Sequence, residues 1–191
     1  MSSVVSKLDP KFRLEVAEAL ERRDFYKCFQ CGVCTSSCPV ADVMDIKPYQ
    51  VIKMVLLGMR EEALKCGAIW TCSTCFTCDE RCPQGVKPRE VMEALKQMVI
   101  RENGNVAKSK ASYTYYKTFM ENMRSYGRIH ETGFFAKYKL KATRGLGLLG
   151  YAPFGLKLLM KGKIALKPHK IHRLEEFKQM FNKVEEVEGK R

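Results

Sequence analysis

Apolar positions recur at helical intervals along the first half of the chain. Phe12, Val16, Ala19 and Leu20 fall near one helical face, with Arg13, Glu15, Glu18 and Glu21 on the other. Asp9-Pro10 places a capping carboxylate and a first-turn proline ahead of them. The stretch Lys47-Pro48-Tyr-Gln-Val-Ile-Lys-Met-Val-Leu-Leu-Gly58 predicts a second helix, entered by proline and stopped by a glycine suited to the left-handed conformation. A shorter helix is predicted over residues 60–65, ending near Gly67. Pro88 opens a further helix whose stripe is Val91, Met92, Leu95, Met98 and Val99, and Gly104 follows its end. Between residues 38 and 72 no alternation of period two predicts a strand.

From Asn105 the pattern loses its regularity. Tyr113, Tyr115, Tyr116, Phe119, Met120 and Met123 predict one helix ending before Gly127. Gly133-Phe-Phe and the stretch 144–155 combine turn formers with apolar residues. Residues 157–160 and 174–181 predict short helices. A segment of this kind packs poorly on itself and suits wrapping a partner. Its longest mostly apolar stretch, 146–156, falls short of the ~20 residues that a membrane span requires. The expected architecture is mainly α, with a module over residues 1–104 and an extension over 105–191.

Composition changes the picture through charge. The 191 residues carry a net charge of +13 and are 46% hydrophobic, which excludes disorder throughout. Residues 1–104 hold 15 Lys+Arg against 14 Asp+Glu, residues 105–174 hold 15 against 2, and residues 175–191 hold 4 against 5. The excess lies in the extension and requires its own explanation. Interleaved aromatics admit nucleic acid as a partner of the basic block, but docking onto an acidic protein partner accounts for it more economically.

Cysteine supplies the chemistry. Cys28, Cys31, Cys34 and Cys38 precede Pro39, and Cys72, Cys75, Cys78 and Cys82 precede Pro83. Both runs read C-x2-C-x2-C-x3-C-P, the spacing of proteins that hold two [4Fe–4S] clusters. Three cysteines at x2 spacing curl around three corners of a cubane, and the fourth ligates the other cluster in two-cluster ferredoxins. On that rule one cluster takes Cys28, Cys31, Cys34 and Cys82, and the other takes Cys72, Cys75, Cys78 and Cys38. Each run is followed by a loop, a proline and a helix, an internal repeat of about 40 residues. Zinc sites use C-x2-C pairs but call for neither a third cysteine at x2 nor a Cys-Pro after it. Thiolates crowded into two runs, with no secretory leader visible, predict a reducing, cytoplasmic setting.

The remaining candidates read as structural. Cys66 is expected to be a buried thiol, and Trp70 a packing shield near a cluster. His169 and His172 are expected to be solvated. Gly145, Gly147 and Gly150 spell G-x-G-x-x-G, but no strand precedes them and the match is rejected. No nucleophile–base pair is evident, so no catalytic residue is assigned.

The tandem runs, Trp70 just before Cys72 and the basic, glycine- and leucine-rich tail resemble the iron–sulfur C subunits of the soluble heterodisulfide reductases of methanogenic archaea. The resemblance implies an alpha-helical ferredoxin-like fold with two [4Fe–4S] clusters bound by the eight motif cysteines. It implies a non-catalytic electron-transfer component of an oxidoreductase complex. Electrons would pass from a large partner bearing flavin and iron–sulfur clusters to a catalytic partner with cysteine-rich clusters. The catalytic partner reduces the coenzyme M–coenzyme B heterodisulfide in methanogenesis. A hydrogenase or formate dehydrogenase would complete the assembly. The same runs occur in iron–sulfur subunits of flavin-dependent dehydrogenases acting on glycerol-3-phosphate or 2-hydroxy acids, which stand as the alternative.

Overall fold

A computed structural model of the chain describes residues 8–102, 104, 110–143, 150–163 and 168–189. All regular elements among them are helical, and none is a strand. The chain divides into two compact units, Met1–Ser109 and Lys110–Arg191, a few residues beyond the shift in composition at Asn105.

The first unit contains α1 (Phe12–Leu20), α2 (Val33–Ser36), α3 (Pro48–Leu57), α4 (Arg60–Lys65), α5 (Ala68–Thr71), α6 (Thr77–Glu80) and α7 (Pro88–Arg101). α7 is its centre, in contact with α1, α3, α4, α5 and α6. Val91, Leu95 and Val99 on α7 are fully buried, as are Phe12 and Val16 on α1 and Val51, Ile52 and Val55 on α3. Each such side chain contributes roughly 1.5–3 kcal/mol on removal from water. The stripe read from the sequence on α7 is therefore its core face. On α1 the buried third member is Ala17, whereas Ala19 is exposed and Leu20 half-buried.

α1 begins at Phe12, two residues after the predicted start. Asp9 donates its N–H to the Gly58 carbonyl at 2.8 Å, which fixes the entry of the chain. Its carboxylate then accepts the Lys11 N–H at 2.9 Å, so residues 9–11 form a turn and not the first helical turn. Gly58 closes α3 at φ 73°, and a Cβ there would lie 2.3 Å from the Asp9 carbonyl oxygen. Pro48 and Pro88 sit at the first positions of α3 and α7, as their sequence implies.

The second unit contains α8 (Lys110–Tyr126), α9 (Glu131–Thr143), α10 (Ala152–Met160) and α11 (Leu174–Gly189). Contrary to the expectation of a segment that packs poorly on itself, α8 and α9 form a hairpin sealed by aromatic edges. Tyr115 meets Phe134 at 5.0 Å and Tyr138 at 5.4 Å, and Phe119 meets Phe134 at 6.0 Å. The sequence does not predict α9, because Gly133 reads as a breaker. His130 explains it: its Nδ1 accepts the Gly133 N–H at 3.2 Å, and a Cβ at Gly133 would lie 2.6 Å from that nitrogen. Lys141–Glu121 ties the hairpin together, and Arg124–Glu185 joins α8 to α11. The predicted short helices at 157–160 and 174–181 belong to the longer α10 and α11. Residues 144–149, with Gly145 and Gly147, lie outside the described residues.

Candidate metal centre

The two cysteine runs adopt one backbone twice. Gln30 and Thr74 hold φ 62° and 55°, and Gly32 and Phe76 hold φ 79° and 63°. Each pair of left-handed residues turns the chain into a four-residue helix, α2 or α6, which carries the third cysteine. Glycine meets this requirement freely in the first run. In the second it falls on a bulky residue, at a cost of about 1–3 kcal/mol. The Arg89 guanidinium lies over the Phe76 ring, 4.4 Å from its centre, and holds it there.

The turns gather the thiols around two recesses. The first is lined by Cys28, Cys31, Cys34 and Cys82, the second by Cys72, Cys75, Cys78 and Cys38. Each thus contains three cysteines from one run and the fourth from the other. Both recesses are small and open to solvent on one side. Among the described residues no three His, Cys, Asp or Glu side chains are grouped to hold a metal ion directly. Four thiols converging on one recess suit an inorganic core with four corners.

Electrostatics supports the same fit. Burial pushes the Cys34 thiol up to about 11 and the Cys78 thiol up to about 12, with neighbouring thiols and Asp79 adding to the effect. Bare thiolates are disfavoured there, and the positive charge of a bound metal would stabilise them. Donors wait for the sulfurs: the Val86 N–H is 3.3 Å from Cys82 Sγ, and Gln30 Nε2 is 3.2 Å from Cys28 Sγ. Cys75 is held below the ordinary thiol range, chiefly by the Thr77 hydroxyl. Cys31 and Cys75 are exposed, so each recess has one edge at the surface.

Cys66 is buried, its thiol donating to the Ala63 carbonyl at 3.1 Å, and it lines neither recess. Trp70 is half-buried on α5 and is not among the residues that line the two recesses. His169 and His172 are exposed. Sequence reasoning passes over Tyr49, Arg89, Thr35 and Asp79. Tyr49 and Arg89 each follow the proline that opens a helix, and each reaches a recess. The Tyr49 N–H points to Thr35 Oγ1 at 3.5 Å, and the Arg89 N–H donates to Asp79 Oδ1 at 2.9 Å. Aligning the two halves of the repeat residue by residue is the signal that finds them.

Residues 24–86 match a family described as a 4Fe-4S dicluster domain. The cofactors are accordingly two [4Fe–4S] clusters. The chain is similar to several heterodisulfide reductase C subunits. It is 42% identical over 82 residues to the C subunit of the ferredoxin:CoB-CoM heterodisulfide reductase of Methanosarcina acetivorans, covering 43% of this chain and 33% of that one. It is 33% identical over 109 residues to the iron-sulfur C subunit of the CoB--CoM heterodisulfide reductase of Methanopyrus kandleri, covering 53% and 56%. It is 41% identical over 81 residues to the C2 subunit of the H(2)/formate:CoB-CoM heterodisulfide,ferredoxin reductase of Methanococcus maripaludis, covering 42% and 43%. The chain thus spans from a third to just over half of the length of these relatives.

Proposed function

We propose that the chain relays single electrons as the iron–sulfur subunit of a heterodisulfide reductase complex. One cluster is held by Cys28, Cys31, Cys34 and Cys82, and the other by Cys72, Cys75, Cys78 and Cys38. The observation that carries this reading is the crossed composition of the two recesses. Bound clusters supply one-electron redox chemistry without proton transfer. The protein's own residues keep them side by side, donate hydrogen bonds to their sulfurs, and expose one edge of each at Cys31 and Cys75. α2 and α6, the short helices of the two runs, are in contact, which brings the recesses together for transfer between them.

Electrons enter from the flavin-bearing component of the complex and leave to the catalytic component that reduces the CoM–CoB heterodisulfide. The upstream donor is a hydrogenase or formate dehydrogenase, a reading supported by the name of the Methanococcus maripaludis relative. Two carriers suit a two-electron reduction, because the catalytic component must be supplied twice per turnover. Among the described residues no helix is long and apolar enough to cross a membrane, and the reducing setting that thiolate clusters require assigns the complex to the cytoplasm.

The second unit supplies the docking surface. Its basic excess favours an acidic partner. α10 leaves Phe154 62% and Met160 82% exposed, apolar side chains that burial against a partner would cover. Oxygen-free purification of the tagged chain from its native cells tests the proposal. The flavin-bearing and catalytic heterodisulfide reductase components should be retained with it. Retention of a hydroxy-acid or glycerol-phosphate flavoprotein in their place would overturn it.

A further inference from the structure

The two recesses share a four-cysteine lining and a proline-led helix entry, and they differ in neutral positions such as Gly32 against Phe76 and also in charge. Pro48 lines the second recess and Tyr49 the first, whereas Pro88 lines the first and Arg89 the second. Ile52, one turn on from Tyr49, corresponds to Met92, one turn on from Arg89. The N-termini of α3 and α7 therefore approach the centres in the same manner, and their dipoles do not distinguish one recess from the other. Exposure does not distinguish them either, since Cys31 and Cys75 are both at the surface. Donors to sulfur are present in both: Gln30 and Val86 in the first, the Thr77 groups in the second.

What differs is a pair of positions. Where the first half has neutral Thr35 beneath Tyr49, the second has Asp79 beneath Arg89. Among the described residues, and cysteines apart, Arg89 is the one ionisable side chain lining the second recess. Asp79 is buried, with its carboxylate accepting from Arg89 Nε at 3.1 Å and standing 3.7 Å from Cys78 Sγ. Glu90 Oε1 lies 3.5 Å from the same guanidinium, but Glu90 is itself bound to Arg22 at 2.7 Å. Phe76 holds the guanidinium from the other side.

We propose that Arg89 is the residue that sets the electron affinity of the second centre independently of the first. The inference rests on reading both recesses as cluster sites. Arg89 faces the recess, and its charge is fixed at all accessible pH values. It offsets the buried Asp79 carboxylate beside Cys78 and favours the more negative, one-electron-reduced state of the second centre. Asp79 acts in the opposite sense and at the same time fixes the position of Arg89. Adding the electron makes and breaks no bond, and Arg89 takes up no proton. The neutral Thr35–Tyr49 pair leaves the first centre without this control. Two otherwise equivalent sites thereby acquire different potentials, which gives the relay a direction.

The test is a redox titration of the anaerobically prepared full chain by electron paramagnetic resonance, with iron and sulfide counted on every sample. Arg89→Gln should lower one of the two couples and leave the other in place. The expected shift is about tenfold in the partition of an electron between the centres, or ~59 mV for a one-electron couple. Asp79→Asn should raise that same couple. Arg89→Lys, which retains the charge should Gln fail to load, should keep most of the difference, and Tyr49→Phe should not move the couple that Arg89→Gln lowers. A fully loaded Arg89→Gln or Arg89→Lys protein with unchanged potentials in the first case, or a lost difference in the second, would overturn the proposal, as would equal movement of both couples. A wild-type chain without about eight irons and eight sulfides would instead overturn the cluster reading itself.

Discussion

Cys38, from the first cysteine run, shares a recess with Cys72, from the second. The reciprocal holds for Cys82, which lines the recess of Cys28. Each half of the repeat completes the other, so neither site is whole without both.

Replacing Cys38 by serine should therefore damage the site of Cys72, Cys75 and Cys78 and spare that of Cys28, Cys31 and Cys34. Iron should fall from about eight to about four per chain, leaving a single reduced signal. Loss of the cluster in the cysteine run that contains the substitution would mean that the runs bind their clusters separately.

Two glycines with φ above zero should separate strain from collision. A Cβ at Gly85 meets nothing within 4 Å, so Gly85→Ala should cost only the left-handed penalty of ~1–2 kcal/mol. At Gly58 the Cβ would lie 2.3 Å from the Asp9 carbonyl oxygen, in a contact made by backbone on both sides. Gly58→Ala should be the more damaging, because Asp9 must move and surrender its hydrogen bond to residue 58. Thermal loss of cluster absorbance at one scan rate compares them, and equal midpoints would refute the contact.

Cys66 should escape alkylation in the loaded protein. Burial pushes its thiol above the ordinary range, so less thiolate is present near neutral pH than a free cysteine would show, and reaction should rise only at higher pH. Peptide mapping after iodoacetamide treatment checks this, and Cys66→Ala should retain the full iron content. Rapid labelling at neutral pH, or loss of iron in Cys66→Ala, would assign this thiol to a cluster.

Partner retention should depend on salt and on α10. Raising the ionic strength from 0.1 to 1 M shortens the screening length from about 10 to about 3 Å and should weaken docking of the basic unit. Phe154→Glu with Met160→Glu should abolish retention of partner proteins while leaving the helical circular dichroism unchanged. Retention indifferent to both changes would place the docking surface elsewhere.

The elements around the cysteines were legible in the sequence because each carries its own local signal. Pro48, Gly58 and Pro88 mark helix ends through backbone restrictions that act wherever they occur, and Val91, Leu95 and Val99 show their face by period alone. α9 was hidden, because Gly133 reads as a breaker whereas it leaves room for the His130 ring that accepts its N–H at the start of the helix. The turn at residues 9–11 depends on Gly58, far along the chain. At the centres, cysteine spacing pointed to the thiols, but no local signal singled out Asp79 and Arg89, one of which the fold places under cover and the other on the wall of a recess.

Metal and sulfide analysis of the chain purified without oxygen, joined to its reduced paramagnetic resonance spectrum, tests the central claim most directly. The account predicts about eight irons and eight acid-labile sulfides per chain, and two reduced [4Fe–4S] signals. Stoichiometric zinc with no labile sulfide would contradict it.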